Sequence, residues 1–566
     1  MSSAGTDTAV KRRRSDLIAS LDDLGAVAQE EVARQSGFSH RLVVCSRAAC
    51  VSDQDHDILA ALTHEIERAG KGEEISVMPG GCFENGSSGP VVALEPDGIR
   101  YHHVTPADAR AIVKSIDHEP IADLLVDRTQ PFYTRQQRVV LDGCGVINPA
   151  SFDDYVAHGG YCALLACLRT NSPEQVVQAV AKAGLRGRGG LGFPTGLKWA
   201  TVAKAGDPQK YVVLNADEGD PGAFANRSLL ESNPLRVIEG MTIAAYAVGA
   251  TQGYVYVRAG YPLAVKRVEG AIRLARRNGL LGNAIGNTPF GFTIDVCLGA
   301  GAYVCGEETA LIAAIEGGRG VPRPCPPFPT ASGLWGHPTL INNVETMANI
   351  PPIIQHGADW FAAIGTESSK GTKTFGLSGR VVNCGLIEVP MGTSLREIVM
   401  DIGGGCPDGH ALKAVHIGGP MGGCLPAESL DVAVDYEALR QAGASMGTGS
   451  LVVLDDTCCV VDLARYFMGF CRSASCGKCF PCRVLTQQMH DILTAIASGD
   501  GRSDTLAQLE TLCEVVGNTS LCGLGRMAPT PVVSTIRYFR DDYLAHIFDK
   551  TCSAGVCPLG TKAMTR

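Results

Sequence analysis

Leu185-Arg186-Gly187-Arg188-Gly189-Gly190-Leu191-Gly192-Phe193-Pro194-Thr195-Gly196-Leu197-Lys198-Trp199 is the stretch on which the reading of the fold turns. Gly187, Gly189 and Gly192 make a G-x-G-x-x-G pattern. A dinucleotide-binding Rossmann loop follows a strand directly and opens a helix. Here a helix comes first. Ser172-Pro173-Glu174-Gln175 starts it, with Ser172 as cap, Pro173 in the first turn and Gln175 closing a capping box. Gly184 stops it, and Pro194 lies just beyond the glycines. The Rossmann reading is therefore rejected. The physical use of the glycines survives: they let backbone N–H groups crowd around a phosphate, with Lys198 as countercharge. An ordinary surface loop is the alternative these residues alone leave open.

Downstream, strands are expected at Tyr211–Leu214, Tyr254–Arg258 and Phe292–Leu298, with helical patterns between them, which indicates a layered α/β core. The expected organisation is multidomain α/β. Residues 1–39 form an arm with a helical stretch. Residues 40–115 form a small α/β unit, with strands at Leu42–Val44 and Pro90–Leu94 and a helix over 56–69. Residues 116–374 form the main α/β body, 375–455 a β-rich insert, and 456–566 a helical, cysteine-dense end.

Two acidic turns follow strands of the main body, where α/β proteins place ligands. The first is Asn215-Ala216-Asp217-Glu218-Gly219-Asp220-Pro221-Gly222. Its three acids repel one another and need hydrogen-bond donors or solvent; an isoalloxazine edge and ribose hydroxyls would serve, and so would a solvated turn. The second runs from Gly299 to Leu311, with Tyr303, Gly306, Glu307 and Glu308. It puts both glutamates in a first helical turn, which favours anions in any case. A further segment, Pro326-Pro327-Phe328-Pro329 through Asn342-Asn343, offers a rigid aromatic and two amides.

The 566 residues carry a net charge of -9, which gives nucleic-acid binding no electrostatic support beyond the short run Lys11–Arg14. No apolar stretch reaches the roughly 20 residues that span a bilayer. The first 30 residues lack the apolar core of a secretory signal, so a cytoplasmic protein is expected. Twenty-two cysteines then point to metal ligation before disulfides. Cys476, Cys479 and Cys482 give C-x2-C-x2-C, and Cys522 follows at a distance. Three close thiolates with a remote fourth is a common 4Fe-4S arrangement, whereas zinc more often uses paired C-x2-C units.

Together these segments, from about residue 130 to 557, resemble the flavoprotein subunit of respiratory complex I and its relatives in soluble NAD-linked hydrogenases and formate dehydrogenases. The fused N-terminal unit and cysteine-rich tail look closest to the hydrogenase-type beta subunit. The resemblance implies an FMN-binding core, a ubiquitin-like (SLBB) β-rich insert and a helical-bundle 4Fe-4S domain. It also implies hydride transfer from NADH C4 to FMN N5, with electrons leaving singly through the cluster. By the same resemblance Gly187, Arg188, Gly189, Lys198, Asn215, Asp217, Glu218, Asn342 and Asn343 hold FMN, and Gly190, Gly192 and Gly306 belong to the cofactor-binding surface. Phe193, Tyr303, Glu307, Glu308 and Phe328 line the NAD(H) site. Asp217, Glu218 and Glu308 would disfavour an anionic reduced flavin, which places Glu218 and Glu308 closest to the catalysis.

In the hydrogenase-type branch the tail resembles a structural zinc site. Cys458, His546, Cys552 and Cys557 are the expected ligands, reduced buried thiols being the alternative. The N-terminal unit resembles a thioredoxin-like 2Fe-2S domain, but only Cys45, Cys50 and Cys82 match its four ligands; Gly86 stands at the fourth, so a docking module without a cluster is expected, a cluster completed by a borrowed ligand being the alternative. Cys325, Gly260, Thr201 and Asn226 replace a lysine, an acid, an aromatic and an aspartate of the family pattern. Loss of the cation and the aromatic would each weaken nucleotide binding by on the order of 1–2 kcal/mol. Two rival readings follow: a relay or scaffold subunit that keeps FMN and cluster but not NADH, and use of NADPH, which Asp220 near a ribose opposes. The implied partners are other iron–sulfur subunits of a hetero-oligomeric complex.

Overall fold

The structure, a computed structural model, describes residues 17–46, 55–82 and 89–559. The run Lys11–Arg14, Cys50 and Gly86 lie outside the described residues.

The helical stretch of the arm is the helix Leu21–Ser36, opened by a reciprocal capping box between Ser20 and Asp23. Its Leu24 and Val27, with Ile18 before it, are buried in the core of the main body. The small unit that follows is a mixed sheet of order β2-β1-β3-β4, built from β1 (His40–Val44), β2 (Ile75–Pro79), β3 (Val92–Glu95) and β4 (Ile99–Tyr101). β1 runs parallel to β2 and antiparallel to β3. The helices Asp55–Arg68 and Ala109–Ser115 pack on it through Ile58, Leu62 and Ile112.

The main body is a parallel sheet of order β7-β6-β5-β8, from β5 (Tyr211–Ala216), β6 (Gln252–Arg258), β7 (Thr293–Gly299) and β8 (Thr339–Asn343). The first three are the expected strands. β8 was legible only as a pair of amides, because five residues ending in Asn-Asn carry little strand signature. Val-, Ile- and Leu-rich strands suit a sheet covered on both faces. The helix Pro234–Val248, buried along nearly its whole length, supplies one cover. Because all four strands are parallel, the turns after β5, β7 and β8 meet at one edge.

The glycine stretch joins the helix Pro173–Lys182 to the helix Thr195–Lys204, so it is indeed not a strand-to-helix Rossmann turn. Arg186 and Pro194 bridge across its base. The Ser172 capping box forms as read.

The β-rich insert is a five-stranded mixed sheet of order β10-β9-β13-β11-β12: β9 (Thr372–Gly379), β10 (Gly385–Pro390), β11 (Leu412–Ile417), β12 (Gly423–Pro426) and β13 (Ser450–Asp455). The buried pair Lys373–Glu345 ties β9 to the helix Val344–Ala348 that follows β8. Four longer helices, Val460–Ala474, Thr486–Ala497, Thr505–Thr519 and Thr530–Tyr538, make the C-terminal bundle around Met468, Met489, Leu493, Leu509 and Val516. No helix among the described residues is long and apolar enough to cross a membrane.

Candidate functional site

A cavity of about 230 Å³ opens at the C-terminal edge of the parallel sheet. Gly189, Gly190 and Leu191 of the glycine loop form one wall, Asn215, Asp217 and Asp220 of the turn after β5 another, and Tyr303, Gly306, Glu307 and Asn343 a third. The glycines keep it open: a Cβ on Gly189 would fall 3.0 Å from the Asn343 side chain, and one on Gly219 would fall 2.6 Å from the Tyr303 ring.

The acids of this edge differ sharply in their surroundings. The Asp217 side chain is buried, with neither carboxylate oxygen accepting a hydrogen bond, although Arg258 Nε lies 3.4 Å away. Burial pushes its carboxyl up to about 6 against the pull of Arg258. A buried carboxylate without donors, lining a cavity, fits a ligand rich in hydroxyl or N–H groups, and the ribityl chain of FMN is such a ligand. Glu218 is sealed beneath the turn, where it accepts the backbone N–H groups of Asn226 and Arg227, each at 3.0 Å. Burial pushes it up to about 7, with those N–H groups pulling the other way. Asp220 accepts the Tyr303 hydroxyl at 2.5 Å and the Thr448 hydroxyl at 2.6 Å. Both of its oxygens are therefore taken, and it bolts the core to the insert.

Glu307 is the cap of the helix Glu308–Ile315, accepting Thr309 N at 3.1 Å and Ala310 N at 2.9 Å; only Glu308 sits in the first turn. Glu308 pairs with Lys198, whose Nζ also donates to the Ile341 carbonyl at 3.0 Å. Arg188 is fully buried, its guanidinium donating to the carbonyls of Arg186 and Lys370, so its side chain shapes the base of the loop. Asn342 accepts the Trp199 indole N–H, and Asn343 caps the helix after β8. Phe193 and Phe328 are more than half exposed, as is Leu191. Of the substituted positions, Cys325 and Thr201 are exposed, Gly260 has open space around it, and Asn226 lines the cavity.

Two further walls were not legible in the sequence. Gly418, Met421, Ser445, Gly447 and Thr448 come from the insert, and Gly523, Leu524 and Met527 from the short helix Gly523–Met527. The glycine-rich run 418–423 was the available signal for the first.

Cys522 caps that same helix. Backbone N–H groups of Gly525 and Leu524 lie against its sulfur, an arrangement that favours thiolate over thiol, although burial as the largest influence leaves the thiol raised. The Cys482 thiol is pushed up to about 11, first by burial and then by Cys479, Cys522 and Cys476, while the Ser475 hydroxyl pulls it down. The other three expected thiols thus lie near enough to Cys482 to act on it. Mutual repulsion of this kind is what a cationic iron core relieves, so the donor set fits a 4Fe-4S cluster. The crevice and Cys522 share one short helix.

The tail holds a tighter group. Ligand atoms of Cys459, His546, Cys552 and Cys557 all lie within 4.8 Å of one another. Cys459 replaces the expected Cys458. It caps the helix Val460–Ala474 and turns into the bundle core, with Sγ 3.5 Å from His546 Nε2 and 3.5 Å from Cys557 Sγ. Cys458 turns the other way, and its thiol donates to Asp455 Oδ1 at 3.4 Å. His546 Nδ1 lies 2.6 Å from the Asp542 carbonyl, which can only accept, so Nδ1 carries the proton and Nε2 presents its lone pair to the sulfurs. Burial raises the Cys552 thiol, but the N–H groups of Cys557, Val556 and Ala554 more than offset it and bring it down to about 6.

A glycine-lined crevice at a parallel-sheet edge, walled in part by a helix that Cys522 caps, defines an α/β redox subunit of the flavin and iron–sulfur class. Residues 180–352 match the Nuo51 FMN-binding domain and residues 462–546 the NADH-ubiquinone oxidoreductase-F iron-sulfur binding region. The chain is 53% identical to the NADP-reducing hydrogenase subunit HndC of Solidesulfovibrio fructosivorans, over 75% of this chain and 86% of that one. It is 44% identical to the NADH-quinone oxidoreductase F 2 subunit of Rhizobium meliloti (strain 1021), over 70% and 94%. A chain of the air-oxidised NAD+-reducing [NiFe]-hydrogenase is 29% identical and superposes with a TM-score of 0.64, covering 93% of this chain and 88% of that one. The chain belongs to the family of NADH-quinone oxidoreductase F subunits and their hydrogenase counterparts.

Proposed function

We propose that this family member works as the NADH-oxidising (diaphorase) subunit of a cytoplasmic hydrogenase- or formate dehydrogenase-like complex, passing electrons to other iron–sulfur subunits. The observation that carries the reading is the shared helix Gly523–Met527, which walls the crevice and begins at Cys522. A bound FMN would supply the hydride-accepting and one-electron-releasing chemistry. The protein's part is placement. Gly189, Gly190 and Gly192 turn their backbone N–H groups to the phosphate, while the Gly187 N–H donates to the Phe193 carbonyl at 2.8 Å and closes the loop base, with Lys198 as the nearby cation. Asn215, Asp217, Gly306 and Asn343 receive the ribityl and ring edge. The exposed rings of Phe193 and Phe328 take the nicotinamide nucleotide with Tyr303, Glu307 and Glu308. Glu218 beneath the turn, when ionised, opposes negative charge on the reduced ring, while the charge of Glu308 is offset by its pairing with Lys198.

Cys476, Cys479, Cys482 and Cys522 hold the 4Fe-4S cluster in this reading. Cys459, His546, Cys552 and Cys557 hold a structural zinc that pins the tail to the bundle. The thioredoxin-like N-terminal unit serves as a docking module without a 2Fe-2S cluster, and the insert is SLBB-like.

Anaerobic mixing of the purified, FMN-loaded protein with NADH, and separately with NADPH, tests the reading. Bleaching of the flavin band within seconds by NADH supports it. Unchanged flavin with FMN still tightly held supports the relay reading, which the exposed Cys325 and Thr201 at two nucleotide positions favour. Faster bleaching by NADPH would transfer the substrate to the phosphorylated nucleotide for which the hydrogenase relative is named.

A further inference from the structure

The glycine loop has an outer face as well as the face it turns to the crevice, and the insert grips that outer face. The helix Tyr436–Gln441 of the insert is capped by Asp435, which accepts Glu437 N at 2.9 Å and is itself held by the hydroxyls of Thr366 and Ser368 at 2.7 and 3.1 Å. From this fixed helix the Tyr436 hydroxyl donates to the Gly187 carbonyl at 2.8 Å. Its ring lies so close to the loop that a Cβ on Gly192 would fall 2.7 Å from it. Arg186 completes the grip. Its guanidinium sits 4.4 Å over the Tyr436 ring, Nε donates to the Gly192 carbonyl at 2.6 Å, and Nη1 reaches both Glu437 oxygens at 2.9 Å. One arginine thus ties the two ends of the loop to each other and to the insert.

We propose that Tyr436 and Arg186 are positioning residues for the flavin: the insert holds the loop Gly187–Gly192 in its binding conformation before the phosphate arrives. The N–H groups of Gly187 and Arg188 are already held by the Phe193 carbonyl and the Thr346 hydroxyl, but four of the six residues are glycine, so the grip narrows the backbone states left to Gly189–Gly192. Preorganisation of this kind raises affinity without adding a contact to the ligand. The inference rests on the reading that this loop faces the FMN phosphate.

The test is FMN affinity of the full-length, flavin-stripped protein, followed by quenching of flavin fluorescence. Tyr436→Phe removes only the hydroxyl, and one lost hydrogen bond should raise Kd roughly threefold to tenfold. Arg186→Gln should raise it further, and Glu437→Gln should add little on top of Arg186→Gln because both break one interaction. Tyr538→Phe is the control: its hydroxyl donates to Ala442 at 2.9 Å, at the far end of the same helix and away from the loop. It should leave Kd unchanged. Unchanged FMN affinity in Tyr436→Phe and Arg186→Gln, with only the melting temperature lowered, would overturn the proposal, as would an equal rise in Tyr538→Phe. Failure of the unaltered protein to bind FMN would instead defeat the flavin reading itself.

Discussion

Two adjacent cysteines, Cys458 and Cys459, give the tail site a sharp test, because spacing in the sequence cannot choose between them and the structure does. Replacing Cys459 with alanine removes one of four converging donors and leaves an open coordination position. Loss of even an outer-shell partner of a zinc ligand weakens binding by about 10- to 100-fold. That is a floor of about 1.4–2.7 kcal/mol for loss of a ligand itself. Replacing Cys458 removes only its donation to Asp455. Zinc content is measured by mass spectrometry after dialysis against graded chelator. Cys459→Ala should release zinc at a chelator level at least tenfold lower than the unaltered protein, and His546→Ala likewise. Cys458→Ala should retain it. The reverse order for the two cysteines would refute the geometric assignment, and no zinc in any of the proteins would refute the site.

Lys373→Met leaves Glu345 charged in a pocket where both side chains are at most 1% exposed, and should destabilise the fold by about 3–5 kcal/mol; a shift in the urea midpoint worth less than about 1 kcal/mol would show the pair to be dispensable. Asp217 binds its proton more tightly folded than unfolded, so its penalty on the flavin-free fold is absent below about pH 4, grows as pH rises to about 6 and is constant above that. Asp217→Asn should therefore gain melting temperature relative to the unaltered protein as pH is raised from 5 to 8, and a pH-independent difference would show that the carboxyl titrates normally.

Features built from neighbours in the chain were legible in the sequence. The Ser172–Gln175 capping box, the stop at Gly184 and the strands around Val212–Leu214, Val255–Val257 and Ile294–Val296 follow from local propensity and pattern. The C-x2-C-x2-C spacing was legible as a cluster motif, and it falls within residues 462–546, which match an iron-sulfur binding region. What escaped depends on distant contacts or on facing. Asp220 read as a ribose partner, but Tyr303 and Thr448, 83 and 228 residues away, occupy it. The insert read as a compact β unit without a role, because its hold on Gly187 joins residues 249 apart. Cys459 lost to Cys458 because only burial says which of two neighbours faces the bundle.

The central claim is that electrons pass from a flavin in the crevice to iron held by Cys476, Cys479, Cys482 and Cys522. Low-temperature electron paramagnetic resonance of the anaerobic protein after one addition of NADH tests it most directly. The FMN-loaded protein should show a reduced 4Fe-4S signal, the FMN-stripped protein none, and Cys522→Ala should bleach its flavin without developing that signal. An equally strong cluster signal in the FMN-stripped protein, or none in the loaded protein after its flavin has bleached, would contradict the account.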